Sequence, residues 1–153
     1  MKLSVQEEYG LRCLVAIARK GPGASMTIPE LSAHEGLTQP HIAKLMSVLR
    51  KSGFVTSSRG QIGGYALARE PKAIGLSELL SAMGGRLVDE RFCERHSGNE
   101  DTCVHLHESC VFHRLWASVQ DAVDGVLGAL TLQDVLDDRI GPRTNVAFQE
   151  LVR

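Results

Sequence analysis

Residues 30–71 read ELSAHEGLTQPHIAKLMSVLRKSGFVTSSRGQIGGYALAREP. Ile42, Leu45, Met46 and Leu49 stand at i, i+3, i+4 and i+7, so they line one face of a helix. Thr38 is its expected N-cap and Gly53 its C-terminal stop. A shorter helix precedes it. Thr27-Ile28-Pro29-Glu30 forms a capping box, and that helix runs to about His34 before breaking near Gly36. After Gly53, Phe54-Val55-Thr56 and Tyr65-Ala66-Leu67 read as two strands joined by SSRGQIGG, a run of turn residues. Short helix, tight turn, second helix and hairpin together make a winged helix-turn-helix.

The flanks extend this unit. Ser4 to Lys20 reads as a first helix, with Val5, Tyr9, Val15 and Ala16 near helical spacing and Leu11, Leu14 and Ile17 widening the apolar face. Gly21-Pro22-Gly23 ends it. Pro71 closes the hairpin, residues 75–83 read as a further short helix, and Gly84-Gly85 is a break. Beyond a polar, cysteine-bearing stretch, Phe112, Trp116, Val119, Val123, Val126 and Leu130 repeat at alternating four- and three-residue steps, a heptad-like seam. A single helix of this kind packs either onto its own domain or onto a partner subunit. Thr131 to Leu136 reads as one more helical turn. The expected fold is mainly α with a small β-hairpin wing, a winged helix-turn-helix plus a long dimerisation helix. The expected organisation is a DNA-binding domain over 1–83, a cysteine-rich loop over 84–113, a dimerisation helix region over 114–136, and a C-terminal tail over 137–153.

A chain of 153 residues, 43% of them hydrophobic, suits one domain with an added helix. No apolar run reaches the roughly 20 residues of a membrane span. Glu7, Glu8 and Arg12 interrupt the N-terminal apolar pattern, so no export signal is read there, and a cytoplasmic setting with reduced thiols is expected. Net charge is −1, but its distribution is uneven. Residues 1–72 hold 10 Lys and Arg against 5 Asp and Glu, whereas residues 73–153 hold 7 against 13. A basic N-terminal half faces phosphates readily, while an acidic half stays off them.

Once its apolar face is buried, the second helix of the helix-turn-helix exposes Gln39, His41, Lys44, Arg50 and Lys51. Gln and Arg suit bidentate contacts with base edges, and Lys suits phosphates. A recognition helix reads bases from its N-terminal end, which selects Thr38, Gln39, His41 and Lys44. In the wing, Arg59 can enter a minor groove or grip phosphate, and Gly60, Gly63 and Gly64 permit close backbone approach. Singly these are ordinary solvated residues; their order along the chain is what points to double-stranded DNA.

Three of the four cysteines lie in RFCERHSGNEDTCVHLHESCVFH, residues 91–113. Nine residues separate Cys93 from Cys103, six separate Cys103 from Cys110, and two separate Cys110 from His113. Three thiolates and an imidazole close a tetrahedral zinc site, and the same donors hold an iron–sulfur cluster. Residue chemistry alone does not choose between them. Nearby His96, His105 and His107 are further donors. A thiol–disulfide switch without metal is another use of close cysteines. An enzyme using Cys110 and His113 as nucleophile and base is not expected, because no oxyanion or substrate motif accompanies them. Cys13 is read as a core residue of the first helix.

KLSVQEEYGLRCLVAIA at the N-terminus, LRKSGFV, RGQIGGYALARE and the downstream cysteines resemble the Rrf-type winged-helix transcription regulators, the group of IscR-like and NsrR-like iron–sulfur sensors. The likeness covers roughly residues 1–136. It implies a homodimer on a palindromic operator, with matching half-sites. It also implies a cluster, 2Fe–2S in preference to 4Fe–4S, on Cys93, Cys103 and Cys110 with His113 as fourth ligand. The NsrR-like members imply an alternative fourth ligand, an acid at the start of the first helix of the other subunit, and Glu8 stands at that position. The cysteines here are spaced more widely than the family's compact pattern.

Overall fold

Ser4 closes a capping box at the start of helix α1 (Val5–Arg19): its hydroxyl accepts from the Glu7 N–H at 3.1 Å, and the Glu7 carboxylate accepts from the Ser4 N–H at 2.7 Å. Two N–H groups that the helix itself cannot pair are thereby satisfied. The computed structural model describes residues 4–57, 63–84, 86, 88, 92 and 110–141. After α1 come β1 (Ser25–Met26), α2 (Ile28–Glu35), α3 (Gln39–Lys51), β2 (Val55–Ser57), β3 (Tyr65–Leu67), a single 3-10 turn (Pro71–Ala73), α4 (Leu76–Met83), α5 (Val111–Gly128) and α6 (Leu132–Leu136).

The expected caps at Thr27 and Gly53 form, whereas Thr38 stands at the N-cap of α3 without a side-chain capping bond. Thr27 and Glu30 make the capping box of α2, and Gly36 ends that helix in the left-handed region at φ 67°. Lys20 also reaches the Glu30 carboxylate at 2.8 Å. That hydrogen bond first, and the Thr27 donors second, lower the Glu30 pKa to about 2. α3 buries Ile42, Leu45, Met46 and Leu49, as its spacing predicts. Gly53 follows it at φ 75°, with the Gly53 N–H on Arg50 O and the Phe54 N–H on Leu49 O. These two bonds are a complete Schellman stop, which delivers Phe54 directly into the core.

The wing differs from the expected two-stranded hairpin. β2 and β3 pair antiparallel, with Val55 opposite Leu67, and β1 adds to the far edge of β3, with Met26 opposite Tyr65. The sheet order is β1-β3-β2. β1 is only two residues long, so it carries no alternation that a sequence pattern could reveal. Gly64 fits closely against this third strand. A Cβ there would come within 3.2 Å of the Met26 backbone and 3.0 Å of the Ser25 hydroxyl.

The core gathers around α1. Cys13, Leu14 and Ile17 meet Leu31, Ile42, Leu45, Met46, Leu49, Phe54, Ile74, Leu79 and Leu132. The chain re-enters this core after α5. The Leu76 N–H donates to Leu130 O at 3.0 Å, and the Leu132 N–H donates to Ile74 O at 2.9 Å, an isolated antiparallel bridge between Gly75 and Thr131. α6 then starts with its own Thr131–Asp134 capping box and buries Leu132. Within α5 only Gln120 is buried. The two ends of its seam differ. Leu127 and Leu130 pack on the core, whereas Phe112 is 58% exposed and Trp116 44% exposed.

Candidate nucleic-acid interface and cysteine site

The start of α3 is built unlike those of α1, α2 and α6. Each of the latter has a capping box with an acid at its third position. The Thr38 side chain makes no capping hydrogen bond, and the first turn of α3 carries no acid. Pro40 has no N–H and the Ile42 N–H is taken by Thr38 O, so the Gln39 and His41 N–H groups and the positive end of the peptide dipoles are what this start offers an anion. Thr38, Gln39 and Lys44 are exposed near this start, and Arg50 is exposed in the last turn of α3. His41 is half-buried, and its ring meets the Tyr9 ring edge-on at 5.9 Å. On the wing, Gly63 is exposed and Gly64 is buried against β1, while Arg59 and Gly60 lie outside the described residues.

Cys93 and Cys103 lie outside the described residues, as do His96, His105 and His107. Cys110 is the N-cap of α5, only 8% exposed, and its Sγ accepts from the His113 N–H at 3.4 Å. His113 follows in the first turn, half-buried, its ring 6.2 Å from that of Phe92. A soft sulfur and an imidazole thus stand one helical turn apart, facing the same end of α5. Among the described residues no three His, Cys, Asp or Glu side chains converge on a metal-sized site. The donor types at Cys110 and His113 fit a thiolate-and-imidazole metal centre, which needs the remaining cysteines to be complete.

The other two acids and thiol of interest separate cleanly. Cys13 is fully buried, and burial first, then the Glu35 charge, push its thiol up to about 12 against the lowering effect of Arg12. It is a core residue, as expected. Glu8 is exposed in the first turn of α1. Its neighbour Glu7 is committed to the cap and also abuts Gly84, where a Cβ would overlap its carboxylate. The Gln6 amide donates to the Met83 carbonyl, and the Met83 side chain occupies the space that a Cβ on Gly10 would need. The end of α4, from which the cysteine-bearing stretch departs, is thereby clasped to the first turns of α1.

A second cluster has no counterpart in the sequence reading. Glu35, the last residue of α2, has a side chain only 3% exposed. One of its oxygens takes the Arg12 Nε at 2.7 Å, and the other faces His34 Nδ1 at 2.8 Å. The Arg12 guanidinium lies over the Tyr9 ring at 5.2 Å. Tyr9 and Arg12 are three apart on α1, which makes them neighbours on one face. The pairing of Arg12 with Glu35 spans 23 residues, and no local pattern announces it.

Comparison with known proteins agrees with this architecture. The chain is similar to the protein rrf2 of Nitratidesulfovibrio vulgaris, 29% identical over 138 residues, covering 90% of this chain and 89% of that one. It is similar to the HTH-type transcriptional regulator IscR of Escherichia coli, 27% identical over 139 residues, covering 91% and 82%. Among solved structures, that of CymR, described as the global cysteine regulator of B. subtilis, superposes with a TM-score of 0.68 at 29% identity, covering 90% of this chain and 97% of CymR. Residues 3–138 match the model of a family described as iron-dependent transcriptional regulators. The chain belongs to that family, the Rrf2 transcriptional regulators.

Proposed function

We propose that this regulator acts as a homodimer on palindromic double-stranded DNA operators under the control of an iron–sulfur cluster, 2Fe–2S rather than 4Fe–4S. Cys93, Cys103, Cys110 and His113 would hold the cluster, with Glu8 of the other subunit as the alternative to His113. The observation that carries the reading is the way the cysteine-bearing stretch is anchored. It leaves from Met83–Gly84, which Gln6 and Glu7 clasp, and it ends at Cys110, the cap of α5.

A bound cluster supplies a redox-labile centre that draws several ligands together. Cys110 and His113 tie that centre to the start of α5. Met83 and Gly84 tie the other end of the stretch to α1, which packs on α2 and α3. A change in the ligand set therefore alters the strain between α5 and α1, and with it the relative placement of two winged helices in a dimer. Operator affinity follows from differential binding to the two arrangements. On the DNA side, the uncapped start of α3 supports Thr38, Gln39, His41 and Lys44 as the reading end. Arg50, Arg59, Gly60 and Gly63 are assigned to backbone and wing contacts, and Gly64, buried against β1, to shaping the base of the wing. The exposed Val111, Phe112, Leu115 and Trp116 of α5 support a partner helix as the natural cover for this face.

A second reading, a zinc-stabilised or thiol-switch regulator without a cluster, is favoured by the likeness to a regulator described as a cysteine regulator. Purification without oxygen separates the two. Visible absorbance with bound iron and sulfide, together with operator affinity that differs between loaded and stripped protein at fixed salt, is the expected result. Colourless protein holding zinc, or equal affinity in both states, overturns the cluster reading.

A further inference from the structure

We propose that Tyr9 and Arg12 of α1 are positioning residues for DNA reading, which hold the His41 side chain in the orientation it offers to a base edge. The inference rests on the reading of α3 as the recognition helix. Its evidence is a continuous set of contacts. The Tyr9 ring meets the His41 ring at 5.9 Å with an interplanar angle of 79°. This edge-to-face arrangement is the one that aromatic quadrupoles favour. The opposite constraint on Tyr9 comes from Arg12, whose guanidinium lies 5.2 Å from the ring centroid. Arg12 is itself held by the Glu35 carboxylate at 2.7 Å.

Glu35 makes this arrangement stiff. Its side chain is 3% exposed, and each oxygen has a partner, Arg12 on one and His34 on the other. A shielded carboxylate keeps its partners in place, because releasing one leaves a poorly hydrated charge. The Glu35–Gly36 end of α2 and the His41 turn of α3 are thus gripped by two residues three apart on α1. A histidine on a free helix surface samples several rotamers and must give them up on binding. One already held against a ring gives up less, which for a single side chain is worth up to about tenfold in affinity for the cognate site.

Simple packing of α1 against the helix-turn-helix makes a different prediction. It would lower affinity for every DNA equally, through loss of folded protein. The experiment begins with the full-length wild-type dimer selecting a preferred duplex from a random library. Binding of that duplex and of a scrambled duplex is then measured at several salt concentrations for Tyr9→Leu, Tyr9→Phe, Arg12→Lys, His41→Ala and the Tyr9→Leu/His41→Ala double variant. The expected result is a loss of several-fold to tenfold in the ratio of preferred to scrambled affinity for Tyr9→Leu, with an unchanged salt slope. Tyr9→Phe keeps the ring contact and retains the ratio. Arg12→Lys, which cannot stack a planar group on the ring, gives an intermediate loss. The double variant loses no more than His41→Ala alone, because both act through one side chain. An unchanged ratio in folded Tyr9→Leu, or additive losses in the double variant, overturns the positioning role and leaves DNA reading by α3 intact. A wild-type protein that selects no sequence at all overturns both.

Discussion

Cys13 and Cys110 are both buried, Cys13 in the core around α1 and Cys110 as the cap of α5. Cys13 is fully buried beside Glu35, and its pKa rises from 9.0 to about 12, so the native state favours the neutral thiol. That preference contributes stability below pH 9 and is lost as pH rises from 9 toward 12, since the unfolded thiol ionises first. Urea midpoints measured across this range are expected to fall more steeply for wild type than for Cys13→Ala. The same variant is expected to bind as much iron as wild type. Glu30 shows the reverse sign. Its pKa is held at about 2, so its stabilising contacts are complete above pH 4.5 and are lost as pH falls toward 2. Glu30→Gln is expected to flatten that acid limb in a pH series of thermal melts.

Helix starts divide into sealed and open ones, with α4, which starts at Gly75, uncapped by a side chain as α3 is. α1, α2 and α6 begin with capping boxes that anchor them in the core; α3 begins without one and faces outward. Thr27→Ala removes the hydroxyl that accepts the Glu30 N–H, and a loss of roughly 1 kcal/mol in a urea titration is expected. The junction of α1 with α4 is tested by Gly84→Ala. The backbone there is compatible with alanine, but the new Cβ would displace the Glu7 carboxylate from the Ser4 N–H. A destabilisation of about 1 kcal/mol is expected, the cost of losing a cap. Restoring the space with Glu7→Ser in the same chain is expected to add no further loss, because the capping box is already broken.

The whole chain combines a basic N-terminal half with an acidic C-terminal half, and it leaves an apolar end of α5 uncovered. No described helix is long and apolar enough to cross a membrane. Exposed Phe112 and Trp116 lie four apart on α5, on one side of the helix. Trp116→Glu places a charge in the middle of that side. The expected outcome is a shift from dimer to monomer in sedimentation, with a much weaker grip on a two-half-site duplex and little change on a single half-site. A dimer that persists unchanged would assign this face to some other cover.

Much of this architecture was legible from order and spacing. Ile42, Leu45, Met46 and Leu49 define α3 because a helix buries every third and fourth residue, whatever surrounds it. Gly36 and Gly53 mark stops because the left-handed backbone they adopt is costly for other residues. The clustering of Cys93, Cys103, Cys110 and His113 is likewise a property of the chain. Three features belong to the tertiary structure alone. β1 has two residues, too few for any period, and exists because β3 presents an edge to it. Arg12 meets Glu35 at a separation of 23 residues, a contact created by the crossing of α1 over α2 and by no local preference. The seam of α5 has one spacing along its length, yet Leu130 packs inward while Phe112 faces out. A hydrophobic period specifies that a face must be covered; only the path of the folded chain decides which part of that face its own core reaches.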